Sequence, residues 1–272
     1  MAIKDLKEIQ TLYKYRYFDC DNYHIKTILD NEFYFPSKKD LNDPFDLSLR
    51  PRYELATVEQ LLNHARYIVD RANFVTDEEK AQRWQEVQIE IKYHKCDYIE
   101  RYIKIFEDSM SKVGICSFTA DIWNEGLMWA HYGREHTGFC IGLNWLKLYD
   151  YLNSHIDQKY TPFIVDYGED QKIINPFIGN ELAPYKTAFT YKSKIWEYEN
   201  EVRLINLKGS KSILKVPNDI IEEIILGLNC SEPNQNVIKN ILKIKNSTIK
   251  LYQIKQNDFS FELVKEEIDY RI

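Results

Sequence analysis

The chain has 272 residues and a net charge of −6, with a hydrophobic fraction of 44% that is typical of a globular protein. The acidic balance predicts no strong basic nucleic-acid-binding patch, and the absence of a long apolar run or a secretory leader pattern predicts no membrane association. Five scattered cysteines, an odd number, favour reduced thiols and a cytoplasmic location over a disulfide framework.

The first part of the chain predicts two short strands on either side of a helix. Residues 11–16 and 32–36 carry the aromatic and alternating side chains of strands, and a helix is expected over 22–29, where apolar residues share one face. The run Leu41–Asp46 contains Asn, Asp and Pro, which favour local backbone hydrogen bonds and a fixed φ. It therefore predicts a turn.

Residues 57–112 change in character, because they contain neither Gly nor Pro. Thr57 with Gln60, and Thr76 with Glu79, have the spacing of capping boxes, and apolar residues recur at helical spacing after each. This pattern predicts two helices. We interpret the segment as a helical insertion within a single domain that spans residues 1–272.

The rest of the chain alternates short strands with helices. Helices are expected near 124–132, around 180–190 and over 233–244. Strands are expected at 113–119, 138–143, 160–167, 197–207, 220–227 and 249–256. Together these elements predict an α+β fold with a mixed sheet at its core.

The segment Lys192–Leu204 contains an unusual run of charges. Glu197, Glu199 and Glu201 occupy every second position, and Arg203 follows two residues later. In a strand, side chains at every second position lie on the same face, so these four charges would point the same way. Three like charges in a row need compensation by water, a ligand or a cationic partner.

Three short motifs occur in a characteristic order. They are Asn42–Asp46 (N-D-P-F-D), Trp129 with Tyr132 (W-x-x-Y), and Lys192 to Arg203 (K-x-x-x-W-x-x-E-x-E-x-R). In this order they resemble a bacterial family known only as a domain of unknown function, whose members occur in mobile and defence-associated gene sets. The resemblance implies a bacterial intracellular effector of defence or toxin type.

A second, more distant resemblance concerns the chemistry. Arg16 at the end of the first strand, Ser117-x-Thr119 in a middle strand and Glu199-x-Glu201 follow one another in the order of the Arg, Ser-x-Thr and Glu-x-Glu series of ADP-ribosyltransferases. The resemblance implies an ADP-ribosyltransferase-like fold and NAD as the substrate. The long gap between Arg16 and Ser117 would be taken up by the helical insertion.

In that chemistry, cleavage of the bond between nicotinamide and ribose creates an oxocarbenium-like centre, which a nearby carboxylate stabilises. The resemblance assigns this role to Glu201, and it assigns to Glu199 the orientation or deprotonation of the acceptor. The acceptor is either water or a macromolecule, which means a protein or a nucleic acid. The expected activity is therefore that of a transferase or an NAD glycohydrolase.

The other expected site residues would bind NAD. Arg16 would hold the phosphates through its planar guanidinium, and Tyr132 or Tyr15 would stack on the nicotinamide ring. The remaining NAD-binding candidates are Ser117, Thr119, Lys192 and Arg203.

Two other functions are compatible with these residues. The first is a metal-dependent nuclease with Lys192 as an electrostatic helper. Its carboxylate ligands would be Asp43, Asp46, Glu199 and Glu201. The second is a non-catalytic sensor or partner-binding module whose working surface would be aromatic-rich pockets. A purely structural pair of Glu201 and Arg203 would explain the run of charges without catalysis. His131 and His136 lack an acidic partner at metal-ligand spacing, so we expect no metal site there.

Overall fold

A computed structural model describes residues 5–21, 23–154, 160–177, 183–207, 209–245 and 247–271. Its strands are β1 (Thr11–Arg16), β2 (Glu32–Phe35), β3 (Gly114–Ala120), β4 (Phe139–Asn144), β5 (Tyr160–Ile164), β6 (Asp166–Gly168), β7 (Tyr191–Ser193), β8 (Glu201–Asn206), β9 (Ser212–Lys215), β10 (Ile221–Leu226), β11 (Lys250–Gln256) and β12 (Leu263–Glu267). Its α-helices are α1 (Lys26–Leu29), α2 (Val58–Arg71), α3 (Asp77–Tyr93), α4 (Lys95–Ser111), α5 (Gly126–His131), α6 (Trp145–Ser154), α7 (Ala183–Thr190) and α8 (Glu232–Ile244).

Eight of the strands form one mixed sheet in the order β12-β11-β10-β4-β1-β3-β8-β5. The pair β10–β11 is parallel and is connected through α8, as a parallel connection requires, whereas all other neighbours are antiparallel. The pairs β2–β9 and β6–β7 form two smaller sheets. The predicted α+β class with a mixed sheet is confirmed.

The large sheet is buried on both of its faces. Successive residues of β1 enter different hydrophobic clusters: Leu12 packs with α6 and α8 on one face, and Tyr13 and Tyr15 pack with α5 on the other. This follows from the period of two in a strand. Within the described parts of the chain, no helix is both long and apolar enough to cross a membrane.

The predicted helical segment 57–112 is helical, but it contains three helices rather than two. The Thr57 and Thr76 side chains each accept a hydrogen bond from the backbone three residues later, so both predicted capping boxes are present. The second predicted helix was wrong in extent, because His94 leaves the helical conformation with φ −132° and ψ 42° and separates α3 from α4. The division of the chain into domains stays a prediction.

The predicted strand 197–207 was wrong at its start. Residues Lys194–Glu199 form a 3₁₀ helix, Asn200 adopts the left-handed conformation with φ 42°, and β8 begins only at Glu201. Asn tolerates this conformation better than most residues, and its amide here donates to the Ala120 carbonyl. The three alternating glutamates therefore do not lie on one face of a single strand.

Other boundaries differ from the expectations in smaller ways. The helix expected over 22–29 begins only at Lys26, and residues 23–25 form a turn before it. Residue 22 lies outside the described residues. The predicted strand 160–167 is divided at Val165, and residues 180–182 of the predicted helix around 180–190 lie outside the described residues. The elements α6, β7, β9 and β12 were not predicted.

The sheet opens between β1 and β3, and this opening positions the site. The two strands pair only at Leu12 with Ala120 and at Tyr13 with Thr119, whereas β3 pairs with β8 along its length. Farther along, the backbone N–H of Ile115 bonds to the Pro36 carbonyl instead of to β1. Lys14, Arg16 and the middle of β3 therefore face a gap.

Candidate functional site

A cavity of about 240 Å³ occupies the gap between β1 and β3. Its polar lining comes from β1, β3, the turn after β2, the residue after α5 and the segment around β7 and β8. These residues are Tyr13, Lys14, Tyr15, Arg16, Asp40, Asn42, Asp46, Ser117, Thr119, Tyr132, Lys192, Glu199 and Glu201. Every residue of the predicted NAD site except Arg203 therefore lines the same cavity.

Arg203 lies behind the cavity and is completely buried, with 0% of its surface exposed. Its Nε donates to Glu201 Oε1 at 2.8 Å, its Nη2 donates to Asp46 Oδ2 at 2.7 Å, and its Nη1 donates to the Phe189 carbonyl at 2.9 Å. The residue was predicted to bind the cofactor, but its guanidinium is engaged within the protein. The Arg203 guanidinium instead holds the carboxylates of Glu201 and Asp46 in place.

Lys192 is the second buried cation of the cluster. Its Nζ lies 2.5 Å from Glu199 Oε2, 3.2 Å from Glu201 Oε2 and 3.8 Å from Asp46 Oδ2. It also lies over the Trp196 ring, 5.1 Å from the centroid. One ammonium is therefore shared by three carboxylates.

This arrangement does not match the carboxylate set of the nuclease alternative. The Lys192 ammonium and the Arg203 guanidinium already lie between the carboxylates that would bind a metal. Asp43 is directed elsewhere, since its Oδ1 accepts the backbone N–H of Phe45 in the turn. Among the described residues, no group of three or more His, Cys, Asp or Glu side chains is arranged to hold a metal ion.

The two glutamates have opposite pKa shifts. Burial and the negative charge of Glu201 raise the pKa of Glu199 to about 7. Burial also opposes ionisation of Glu201, but Arg203 and Lys192 outweigh it and hold the pKa of Glu201 well below its usual range. Two carboxylates whose environments separate their pKa values can act in different roles, one as a proton carrier and one as a fixed charge.

Tyr132 connects this pair to the turn after β2. Its hydroxyl donates to Glu199 Oε1 at 2.6 Å and accepts a hydrogen bond from the Asn42 amide at 3.3 Å. The tyrosine was predicted to stack on nicotinamide, whereas the structure places its hydroxyl on Glu199. Ser117 is one of the groups that lower the pKa of Glu201, and Glu197, outside the cluster, is exposed.

The opposite wall of the cavity is cationic. Lys14 and Arg16 lie two residues apart on β1, and the Lys14 ammonium donates to the Ser117 carbonyl at 2.5 Å. Burial lowers the pKa of Lys14 to about 8. The Nε of Arg16 is buried and has no hydrogen-bond partner. A ligand with an anionic group would complete this wall.

Lys14 was missed in the sequence, although the signal was present. It shares a strand face with Arg16, because side chains alternate along β1. Only the opening of the sheet beyond Tyr13 turns that face towards a cavity.

A comparison with known families identifies one match. Residues 128–204 match a family described as a protein of unknown function, DUF2971. The chain is similar to this family over a range that includes Tyr132, Lys192, Glu199 and Glu201 but not Arg16. No curated protein and no solved structure matches the chain.

Proposed function

We propose that the chain is an enzyme that cleaves the N-glycosidic bond between nicotinamide and ribose in NAD, and that its split sheet is arranged like that of an ADP-ribosyltransferase. The observation that carries the proposal is the convergence of Arg16, Ser117, Glu199 and Glu201 on one cavity. A cationic wall on one side and a pair of differently titrating carboxylates on the other suit a substrate with phosphates and a ribose.

The proposed reaction breaks the bond between ribose C1′ and the nicotinamide nitrogen. The bonding electrons return to the pyridinium ring, so nicotinamide leaves as a neutral molecule and C1′ becomes oxocarbenium-like. Glu201, kept ionised by Arg203, would stabilise this positive charge. The buried position of Glu201 strengthens such stabilisation, because little water screens it.

Glu199 would act on the nucleophile. Its raised pKa of about 7 lets it hold or accept a proton near neutral pH, which is the property of an efficient general base. A water molecule or an acceptor group would form the new bond to C1′ and pass its proton to Glu199. The hydrogen bond from Tyr132 fixes the orientation of the carboxylate.

Arg16 and Lys14 would hold the phosphates of the substrate. The volume of about 240 Å³ is below the roughly 300–1,000 Å³ of typical ligand pockets, so the cavity suits the nicotinamide ribose part of NAD. The adenosine part would lie outside it.

The biological role that we propose is that of a bacterial effector of toxin or defence type, acting by NAD consumption or by modification of a macromolecule. The support is the motif resemblance described above together with the proposed chemistry. Expression of the protein in a bacterial host should lower cellular NAD or label a host macromolecule, and either effect should stop growth. Both effects should disappear in Glu199→Gln.

The test is incubation of the purified protein with NAD that carries a labelled adenylate phosphate, with and without cell lysate. Nicotinamide release and label transfer are both measured. We expect the wild type to release nicotinamide, and Glu199→Gln to be about 10²–10⁴-fold slower, which is the usual contribution of a general base. Glu197→Gln is the matched control, since Glu197 is exposed and lies two residues away. If the wild type does not turn over NAD under either condition, the proposed function is wrong.

A further inference from the structure

Lys14 lines the cavity between β1 and β3 without a carboxylate partner. Its nitrogen donates to the backbone carbonyl of Ser117 at 2.5 Å and lies 5.4 Å from the centroid of the Phe118 ring. Within the described parts of the chain, the carboxylates of Glu201 and Glu199 act on Lys14 only through space, with no ion pair. The surroundings of this nitrogen are therefore neutral groups and an aromatic ring.

The same cavity contains a second lysine with the opposite surroundings. The Nζ of Lys192 lies 2.5 Å from Glu199 Oε2 and 3.2 Å from Glu201 Oε2. Burial opposes the charge of Lys192, but the nearby carboxylates outweigh it and raise its pKa above the usual value. For Lys14, burial lowers the pKa to about 8, and the Arg16 guanidinium acts in the same direction. Of the two lysines, Lys14 therefore holds far more neutral amine near neutral pH.

A neutral lysine amine is a nucleophile for carbonyl groups. Desolvation and a neighbouring cation are two means by which proteins activate a lysine for this chemistry. The hydrogen bond from Lys14 to Ser117 is compatible with it, because a neutral amine keeps two N–H donors. One N–H still binds the Ser117 carbonyl, and the nitrogen lone pair is left for a molecule in the cavity.

Two other residues of the cavity supply what such a reaction needs. Glu199 lines the opposite wall, and its raised pKa of about 7 makes it a donor and acceptor of protons near neutral pH. Arg16 lies two residues from Lys14 on β1, and its buried Nε has no hydrogen-bond partner among the described residues. A phosphate group on the substrate would satisfy this guanidinium.

We propose that Lys14 forms a covalent imine with the aldehyde of a phosphorylated aldose bound in this cavity. The amine nitrogen of Lys14 bonds to C1 of the open-chain sugar, and the carbonyl oxygen takes a proton from Glu199. The nitrogen then returns a proton to Glu199. Finally Glu199 protonates the C1 hydroxyl, the C–O bond breaks and water leaves, and the nitrogen lone pair completes a protonated imine. No oxidant or reductant is consumed.

A phosphorylated aldose can come from two sources. One is a free sugar phosphate. The other is the ADP-ribose that cleavage of NAD by water would release, since its ribose has a free C1 and its diphosphate is anionic. The second source rests on the proposed function, whereas an imine with a free sugar phosphate does not require NAD.

The test is reductive trapping with the full chain and without NAD. Sodium cyanoborohydride converts an imine into a stable secondary amine, and peptide mass spectrometry locates the modified lysines. The probes are ribose 5-phosphate, ADP-ribose and, as the control without phosphate, ribose. We expect ribose 5-phosphate to modify Lys14 at least about tenfold faster than Lys192, because Lys14 has more neutral amine. Ribose should modify Lys14 about tenfold more slowly than its phosphate.

Glu199→Gln, with circular dichroism to verify folding, should slow the modification of Lys14 about 10²-fold, the lower end of an acid–base contribution. The matched control is Glu197→Gln, because Glu197 is exposed outside the cavity. Equal modification of Lys14 and Lys192, equal rates for ribose and ribose 5-phosphate, or an unchanged rate in Glu199→Gln would overturn the inference.

Two further comparisons separate the source of the aldose and the proposed function. Faster modification by ADP-ribose would identify the product of NAD cleavage as the substrate, and faster modification by ribose 5-phosphate a free sugar phosphate; both support the imine. A protein that traps ribose 5-phosphate on Lys14 but releases no nicotinamide from NAD would retain this inference and lose the proposed function. Nicotinamide release without any Lys14 adduct would do the reverse.

Discussion

The cluster around Glu199 and the cluster around Glu223 are built from the same kinds of side chain. In each, a tyrosine hydroxyl donates to the glutamate, a lysine ammonium binds the same glutamate, and the lysine lies over a tryptophan ring. The members are Tyr132, Glu199, Lys192 and Trp196 in the first cluster and Tyr13, Glu223, Lys265 and Trp123 in the second.

The clusters differ in how many carboxylates share each cation. Lys265 binds both oxygens of Glu223, at 2.8 and 2.6 Å, so one ammonium neutralises one carboxylate. Lys192 is shared by Glu199, Glu201 and Asp46, and these side chains are 4–6% exposed. The Glu223 side chain is 15% exposed, so water has more access to it.

The difference lies in what accompanies the tyrosine, the lysine and the tryptophan around each glutamate. Glu199 is deeply buried and has a second carboxylate, that of Glu201, beside it, and these two effects raise its pKa to about 7. The Glu223 cluster, which has no such neighbour among its members, is a structural ion pair joining β10 to β12.

The largest expected effect is on stability. Arg203→Met would leave Glu201 and Asp46 buried without their main cation, which should cost about 3–5 kcal/mol of unfolding free energy. Lys265→Met in the structural cluster should cost only about 1–2 kcal/mol, because the more exposed Glu223 can recover water. Urea denaturation of both variants measures the difference. Equal losses would mean that the two clusters are equivalent.

The pH dependence of stability should separate the clusters next. The folded pKa of Glu199, about 7, is above its unfolded value near 4.5, so between these pH values the folded state holds the extra proton and stability falls as pH rises. The loss should reach about 3 kcal/mol at most and be absent in Glu199→Gln. The lowered pKa of Glu201 acts the other way: its contribution is present above about 4.5 and is lost in acid.

Denaturation at several pH values from 5 to 8 measures how steeply the unfolding free energy falls as pH rises. Glu223→Gln is the control, and it should leave this slope unchanged. A wild-type slope that survives unchanged in Glu199→Gln would assign it to another group.

The smallest expected effect concerns Tyr132. Its hydroxyl stabilises the ionised form of Glu199, so Tyr132→Phe should raise the pKa of Glu199 by about one unit. The pH profile of nicotinamide release should therefore move to higher pH. Tyr13→Phe, which removes the equivalent hydroxyl from the Glu223 cluster, should leave that profile unchanged. A shift of equal size in both variants would show that the effect is not local.

Features that depend only on neighbouring residues were predicted well from the sequence. The capping boxes at Thr57 and Thr76 and the strand from Thr11 to Arg16 depend on neighbouring residues, and all three are present. The strand expected from 197 was wrong because one left-handed residue, Asn200, ends the 3₁₀ helix and starts β8 two residues beyond Glu199.

The site itself depends on contacts between distant parts of the chain. The motifs singled out Lys192, Glu199 and Glu201, but no pattern within the segment indicates that Asp46, more than a hundred residues earlier, shares Arg203 with them. Lys14 was missed for the same reason, because only the order of the strands and the opening beside β3 bring it to the cavity.

The raised pKa of Glu199 is tested most directly by titrating this residue itself. Carbon-13 labelling of the glutamate carboxyl groups allows their pKa values to be followed by NMR, and the resonance missing in Glu199→Gln identifies this residue. We predict that it titrates near pH 7, well above the ordinary range near 4.5. Titration of that resonance near 4.5 would contradict the account, because Glu199 would then be an ordinary ionised partner of Lys192.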